Sequence, residues 1–159
     1  MTHRDGTITE AGFIDAPRDS QLKALYEYWD TVRGSRLMPA RADIDPGKIR
    51  GLLPFIIMYT VAAGYTIRLV GDEIVRFTGR NVTGRPAGST MSPRSAEMMI
   101  KILNAVATER VPKFRAGKAH WQSDKTYHDF EACFLPLSTD GETVDIILGG
   151  IRFPMLAES

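Results

Sequence analysis

The sequence predicts an α+β fold in which a long helix crosses a curved antiparallel sheet, and three observations carry that reading. From Ser92 to Arg110 the apolar residues Met98, Met99, Ile102, Leu103, Val106 and Ala107 recur at helical spacing. After Val111-Pro112 the pattern changes, and Phe114 to Trp121, Tyr127 to Leu137 and Thr143 to Phe153 read as strands. The last two are joined by Ser138-Thr139-Asp140-Gly141-Glu142, in which Asp-Gly is a strong short hairpin signal. A helix lying across consecutive antiparallel strands encloses a cavity, which suits holding or transmitting something better than doing chemistry.

The first half of the chain supplies the other elements. Residues 1–19 read as a mobile lead rich in Gly, Thr and Asp, and residues 20–155 as one domain. Asp19 or Ser20 caps a helix that carries Leu22, Leu25, Tyr26, Trp29 and Val32 on one face and stops at Gly34. Its other face carries Lys23, Glu27 and Asp30, so the apolar stripe must cover something. The expected target is the outer face of the sheet, in the same subunit or across a dimer, with Leu22, Leu25, Tyr26 and Trp29 as the interface residues. Asp45-Pro46 starts a short helix that runs to Leu53. Phe55 to Val61 is a continuous apolar run and reads as a buried strand. Ala62-Ala63-Gly64 turns the chain into an alternating partner strand, with Tyr65, Ile67 and Leu69 on one face and Thr66 and Arg68 on the other. Asp72 to Phe77 reads as a short helix, and Gly79, Gly84, Pro86 and Gly88 force turns after it.

Composition bounds the function. A chain of 159 residues fits one domain with a real core. A net charge of +1 gives no strong field for nucleic acid or an anionic membrane surface. No apolar run approaches the roughly 20 residues that a membrane span needs, and the first residues lack the apolar stretch of a signal peptide. The single cysteine, Cys133, rules out an intrachain disulfide. These features favour the cytoplasm, with no nucleic-acid and no membrane partner.

Catalytic and metal-binding sets are missing from the pattern. Gly79 to Pro86 nearly matches a phosphate-binding loop, but Arg85 and Pro86 stand where that motif needs Lys and a hydroxyl, so a turn is the better reading. Asn81-Val82-Thr83 matches a glycosylation acceptor, with nothing to send it to a secretory compartment. His3 lies in the lead, while His120 and His128 flank a turn near Asp124 and Asp129 at a spacing that fits no standard metal site. Cys133 sits mid-strand, opposite the face of Phe130, Ala132 and Phe134, without an activating base. Asp72 and Glu73 are consecutive, and Asp129 and Glu131 share the face of Cys133, so neither pair makes a catalytic cleft. The expectation is no catalytic residues, no metal and no enzymatic activity.

The order of the elements resembles that of a PAS domain, and so do particular residues. Trp29, Arg36, Leu37-Met38-Pro39, Asp43 to Pro46 and Leu53-Pro54 resemble the N-terminal signature of a PAS-like family of small bacterial proteins common in alphaproteobacteria. Tyr65 to Gly71 followed by Thr83-Gly84-Arg85 is similar to its central signature, and Leu135-Pro136-Leu137-Ser138 with Gly141 and Ile146 to Gly149 to its closing hairpin. The resemblance covers Gln21 to Phe153. It implies a five-stranded antiparallel sheet with helices on one face and a small central cavity, here with an extra N-terminal helix. It implies a sensory or regulatory role and names no cofactor. Two departures bear on cofactors. No His lies between Ser92 and Arg110, which argues against haem held by a helix His, and no Cys precedes that helix, which argues against flavin photoadduct chemistry.

Within that frame, alternation assigns the pocket walls. Met98, Met99 and Ile102 face it from the helix, Phe130, Ala132 and Phe134 from one strand, and Ile147, Gly149 and Ile151 from the last. Phe77 joins them, with Arg68 and Thr90 as the polar candidates. A mostly apolar pocket with one positive group suits a small hydrophobic or carboxylate-bearing ligand. The reading is a non-catalytic regulatory protein that signals through a ligand, through a homodimer or partner signalling proteins, or through both. The alternative is a cavity-bearing α+β enzyme or carrier of a small apolar molecule. That class places a His–Asp pair inside its cavity, whereas alternation turns His128 inward and Asp129 away.

Overall fold

The computed structural model describes residues 6–120 and 128–153, the side chains of Thr9, Glu10 and Ala63 excepted. Among the described residues six strands are present: β1 (Thr7–Ile14), β2 (Ile56–Thr60), β3 (Thr66–Val70), β4 (Lys113–His120), β5 (His128–Leu137) and β6 (Ile146–Arg152). They form one antiparallel sheet in the order β1-β4-β5-β6-β2-β3. Among the described residues four α-helices accompany it: α1 (Ser20–Arg33), the single turn α2 (Ala62–Tyr65), α3 (Asp72–Thr78) and the long α4 (Pro93–Glu109). The short helix expected after Asp45-Pro46 is two 3-10 helices, Pro46–Lys48 and Arg50–Phe55. The α+β class and the antiparallel sheet match the expectation, and the sheet has one strand more.

That extra strand corrects the reading of residues 1–19 as a mobile lead. Thr7 to Ile14 pairs with β4, from Thr7 opposite His120 to Ile14 opposite Phe114. Composition hid it, because Gly and Asp surround the β-branched Thr7, Ile8, Thr9 and Ile14 that favour a pleated surface. Gly117 of β4 permits the approach, since a Cβ there would lie 2.6 Å from the Cα of Ala11. The start of β1 is also clipped to α4. The N–H of Gly6 donates to the Thr90 carbonyl at 2.7 Å, the N–H of Ser92 to the Gly6 carbonyl at 2.7 Å, and the N–H of Ile8 to Ser95 Oγ at 2.9 Å.

Helix α1 starts where a carboxylate can cap it. Asp19 Oδ1 accepts from the N–H groups of Gln21 and Leu22, and Gly34 ends the helix at φ +61°. Leu22, Leu25 and Trp29 are buried against the outer face of β5 and β6. Gly150 makes room for them, because a Cβ there would come within 2.9 Å of both leucine Cδ2 atoms. Of the two expected targets, the same subunit or a dimer partner, these three side chains take the first and are core of their own subunit. Tyr26 stays half-buried, stacked on Trp29 and edge-on to Phe114.

Helix α4 crosses the inner face. Ser92 caps it, Pro93 takes the first helical position, and Met99, Ile102, Leu103 and Val106 form the buried stripe. Burying a side chain of this size contributes about 1.5–3 kcal/mol, so this stripe holds the helix in place.

The β2–β3 ladder holds a surprise. It steps from Met58 opposite Leu69 to Tyr59 opposite Ile67, so Arg68 is bulged out. A one-residue slip reverses the faces beyond it. Tyr65 and Ile67 are buried, whereas Leu69, expected on the same face, is 41% exposed.

Candidate functional site

The strand alternation of β5 builds the site. Phe130, Ala132 and Phe134 face α4, and the small Ala132 between two phenyl rings leaves a gap that neither ring fills. Ala132 stands opposite Arg115 on β4 and Ile151 on β6, so the gap is bounded on both sides. Met99 of α4 closes it from above. Ile8 of β1, Met91, Ala119 and Phe153 complete the wall. The pocket volume is about 30 Å³, room for one or two water-sized bodies.

Among the described residues one charged side chain lies in this wall. Arg115 is 2% exposed, and neither Nη1 nor Nη2 has a hydrogen-bond partner among the described residues. Its guanidinium carbon lies 5.8 Å from the ring centroid of Phe130, within cation–π range. Burial draws its pKa below the ordinary arginine value, an effect opposed by the nearby phenol of Tyr59. Tyr59 is itself buried, and desolvation raises its pKa. Arginine nevertheless stays protonated in proteins, so the cavity carries a positive charge.

The structure brings Met99, Phe130, Ala132, Phe134 and Ile151 together at the cavity. Ile102 and Ile147 are buried in the core without reaching its wall. Gly149 packs beneath β2, where a Cβ would lie 3.0 Å from Ile57 Cγ2. Phe77 is one layer behind, stacked on Phe153 at 3.8 Å between centroids. Met98, expected in the wall, is half-buried and not part of it, and Thr90 is buried with its carbonyl taken by Gly6. Arg68 requires a correction, because the bulge turns it to solvent.

The positive group of the pocket is therefore Arg115, which the sequence reading missed. A charged residue in Phe114-Arg115-Ala116 invites a solvent-facing assignment. The signal that could have found it is the pairing of Phe114 with Cys133. Once Cys133 faces α1, Phe114 does too, and Arg115 must point inward.

Other groups stay apart from the cavity. Cys133 is fully buried, and desolvation pushes its thiol up to about 12, so thiolate chemistry is suppressed. His128 meets the edge of Phe77 at 5.5 Å, while Asp129 is exposed on the opposite face and bonded to Lys118 at 2.9 Å. His3, Trp121, Asp124, Tyr127 and residues 154–155 lie outside the described residues. Among the described residues no group of three His, Cys, Asp or Glu side chains is placed to hold a metal, and no helix is long and apolar enough to cross a membrane. Two larger depressions are open. One of about 550 Å³ lies over Ala116, Lys118, Asp129 and Glu131, and one of about 390 Å³ over Met58, Leu148 and Leu69.

Comparison with known proteins agrees with this geometry. The family described as "PAS domain" matches residues 18–152. The fold is similar to the PAS domain of BvgS from Bordetella pertussis, with a TM-score of 0.53 and 19% identity over 70% of this chain and 91% of that one. It is similar to the PAS domain of a protein from Colwellia psychrerythraea, with a TM-score of 0.51 and 13% identity over 69% of this chain and 97% of that one. It is also similar to a LOV protein of Rhodobacter sphaeroides, with a TM-score of 0.50 and 11% identity over 69% of this chain and 68% of that one. No curated protein matches the sequence significantly.

Proposed function

This chain belongs to the PAS domain family, and from that membership we propose that it is a non-catalytic sensory or regulatory module of the cytoplasm. A small ligand enters the cavity beneath α4, and the response passes to a second copy or to partner signalling proteins. The observation that carries this reading is the apolar pocket between α4 and the sheet, walled by Met99, Phe130, Ala132 and Phe134. A void of this kind in an otherwise close-packed core withholds contacts that a bound molecule would restore. The chemistry elsewhere supports it, because the one thiol is neutral and buried and the inward histidine is separated from its neighbouring carboxylate.

A thermal-shift screen of small metabolites tests the reading. A ligand present at 100 times its dissociation constant stabilises the folded chain by roughly 2.7 kcal/mol, which is readily seen. Ala132→Leu fills the void at a cost of about 1–3 kcal/mol. Hits on the wild type that vanish in Ala132→Leu support a cavity site. A blank screen, or hits that persist unchanged in the variant, overturn it.

A further inference from the structure

We infer that the ligand of this cavity is a short-chain carboxylate, its two oxygens held by Nη1 and Nη2 of Arg115 and its apolar body lying against Met99, Ala132 and Phe134. The inference rests on the sensory reading above and names the chemistry of its ligand.

Three observations converge on it. Arg115 is buried to 2% exposure, yet both terminal nitrogens lack a hydrogen-bond partner among the described residues. A guanidinium taken out of water is strongly penalised unless it is paired and hydrogen-bonded. The contact with Phe130 supplies some attraction but satisfies no N–H group. The second observation is position, because Arg115 forms part of the cavity wall and, among the described residues, no carboxylate stands in that wall to neutralise it. The third is shape and lining. A planar guanidinium with its outer pair of nitrogens unused matches a carboxylate two bonds at a time. Every other described wall residue is apolar, which suits an aliphatic tail.

Size sets the length of that tail. The void of about 30 Å³ admits a very small molecule as it stands. Met91 and Met99, both in the wall, are the side chains best able to shift and widen it. A phosphate dianion fits poorly, because a single cation faces it and the remaining walls offer no donors.

The test compares acids with their neutral shape-mimics on the unaltered protein. Sodium acetate, propionate and butyrate are titrated against acetamide, propionamide and butyramide at matched ionic strength, with sodium chloride and sodium phosphate as further probes. Binding is read by thermal shift and by calorimetry. The expected result is saturable binding of at least one acid, with its amide at least tenfold weaker. Arg115→Met should abolish that binding and stay folded, since it removes a lone buried charge and keeps an apolar stem. Arg115→Lys should weaken it at least tenfold by losing the paired geometry. Equal binding of acids and amides overturns the inference and leaves the sensory reading standing. Binding of chloride or phosphate alone also overturns it, since the site would then take an inorganic ion. No binding by any probe overturns it as well, and together with a blank metabolite screen removes the cavity reading too.

Discussion

The indole nitrogen of Trp29 donates to the main-chain carbonyl of Pro136 at 2.9 Å, and both residues are buried. This bond explains how a proline sits in an interior strand. In a strand, the N–H and C=O of one residue point to the same neighbour. For Pro136 that neighbour would be β4, whose pairing with β5 ends at Lys113 opposite Phe134. The missing N–H therefore costs no ladder bond, and the orphan carbonyl is taken by α1.

Trp29→Phe removes that bond. The smaller ring leaves part of the indole's space empty, and the Pro136 carbonyl loses its donor in a dry setting. The expected loss is about 1–3 kcal/mol in urea unfolding with an unchanged slope. A loss below about 0.5 kcal/mol would show that the carbonyl finds another partner.

Gly150 and Leu25 should behave as one unit. Gly150→Ala forces a methyl group against Leu22, Leu25 and Cys133 and should destabilise by about 1–3 kcal/mol. Leu25→Ala alone should cost about 2–5 kcal/mol by leaving a cavity. The double variant should be less damaging than the sum by about 0.5–3 kcal/mol, because the new methyl occupies vacated space. Strict additivity would mean that α1 does not rest on Gly150 in solution.

Removing residues 1–14 tests β1. Loss of this strand bares the edge of β4 and takes Ile8 from the cavity wall. The expected outcome is a lower melting temperature and concentration-dependent association in light scattering. An unchanged melting temperature with unchanged mass would show that β1 contributes nothing to the fold.

Much of this architecture is legible in the sequence, and the failures have physical causes. The Met99, Ile102, Leu103, Val106 stripe identifies α4 because its period is long and regular. The alternation of β5 sets Phe130, Ala132 and Phe134 on one face of the strand. β1 is illegible because its stability comes from β4 and from Ser95 of α4, not from its own pattern. Arg68 and Leu69 are misplaced because a bulge leaves no trace in a run of alternating residues. Arg115 is missed because a buried lone cation contradicts the usual cost of burying charge, and sites that break such rules are often functional.

The alkaline limb of stability should report Cys133. Burial raises its thiol from 9.0 to about 12 in the folded state. The unfolded thiol releases its proton first, so this contribution is complete below pH 9 and is lost as pH rises towards about 12. The slope reaches about 1.4 kcal/mol per pH unit at most. Cys133→Ala, in which Tyr59 still titrates, should show a shallower decline above pH 9 than the wild type. Parallel curves would mean that the thiol is accessible in the folded chain, which alkylation of the native protein at pH 8 would then detect.

The central claim is that the void between α4 and β5 is where this PAS domain receives its ligand. Methyl NMR measures it most directly, with Met91, Met99 and Ala132 reporting on the cavity and Met58 on the outer face. Titration with sodium propionate should produce saturable shifts at the three cavity methyls, leave Met58 unmoved, and produce no such shifts in Arg115→Met. Shifts of equal size at Met58, or none at the cavity methyls up to molar propionate, would contradict the account.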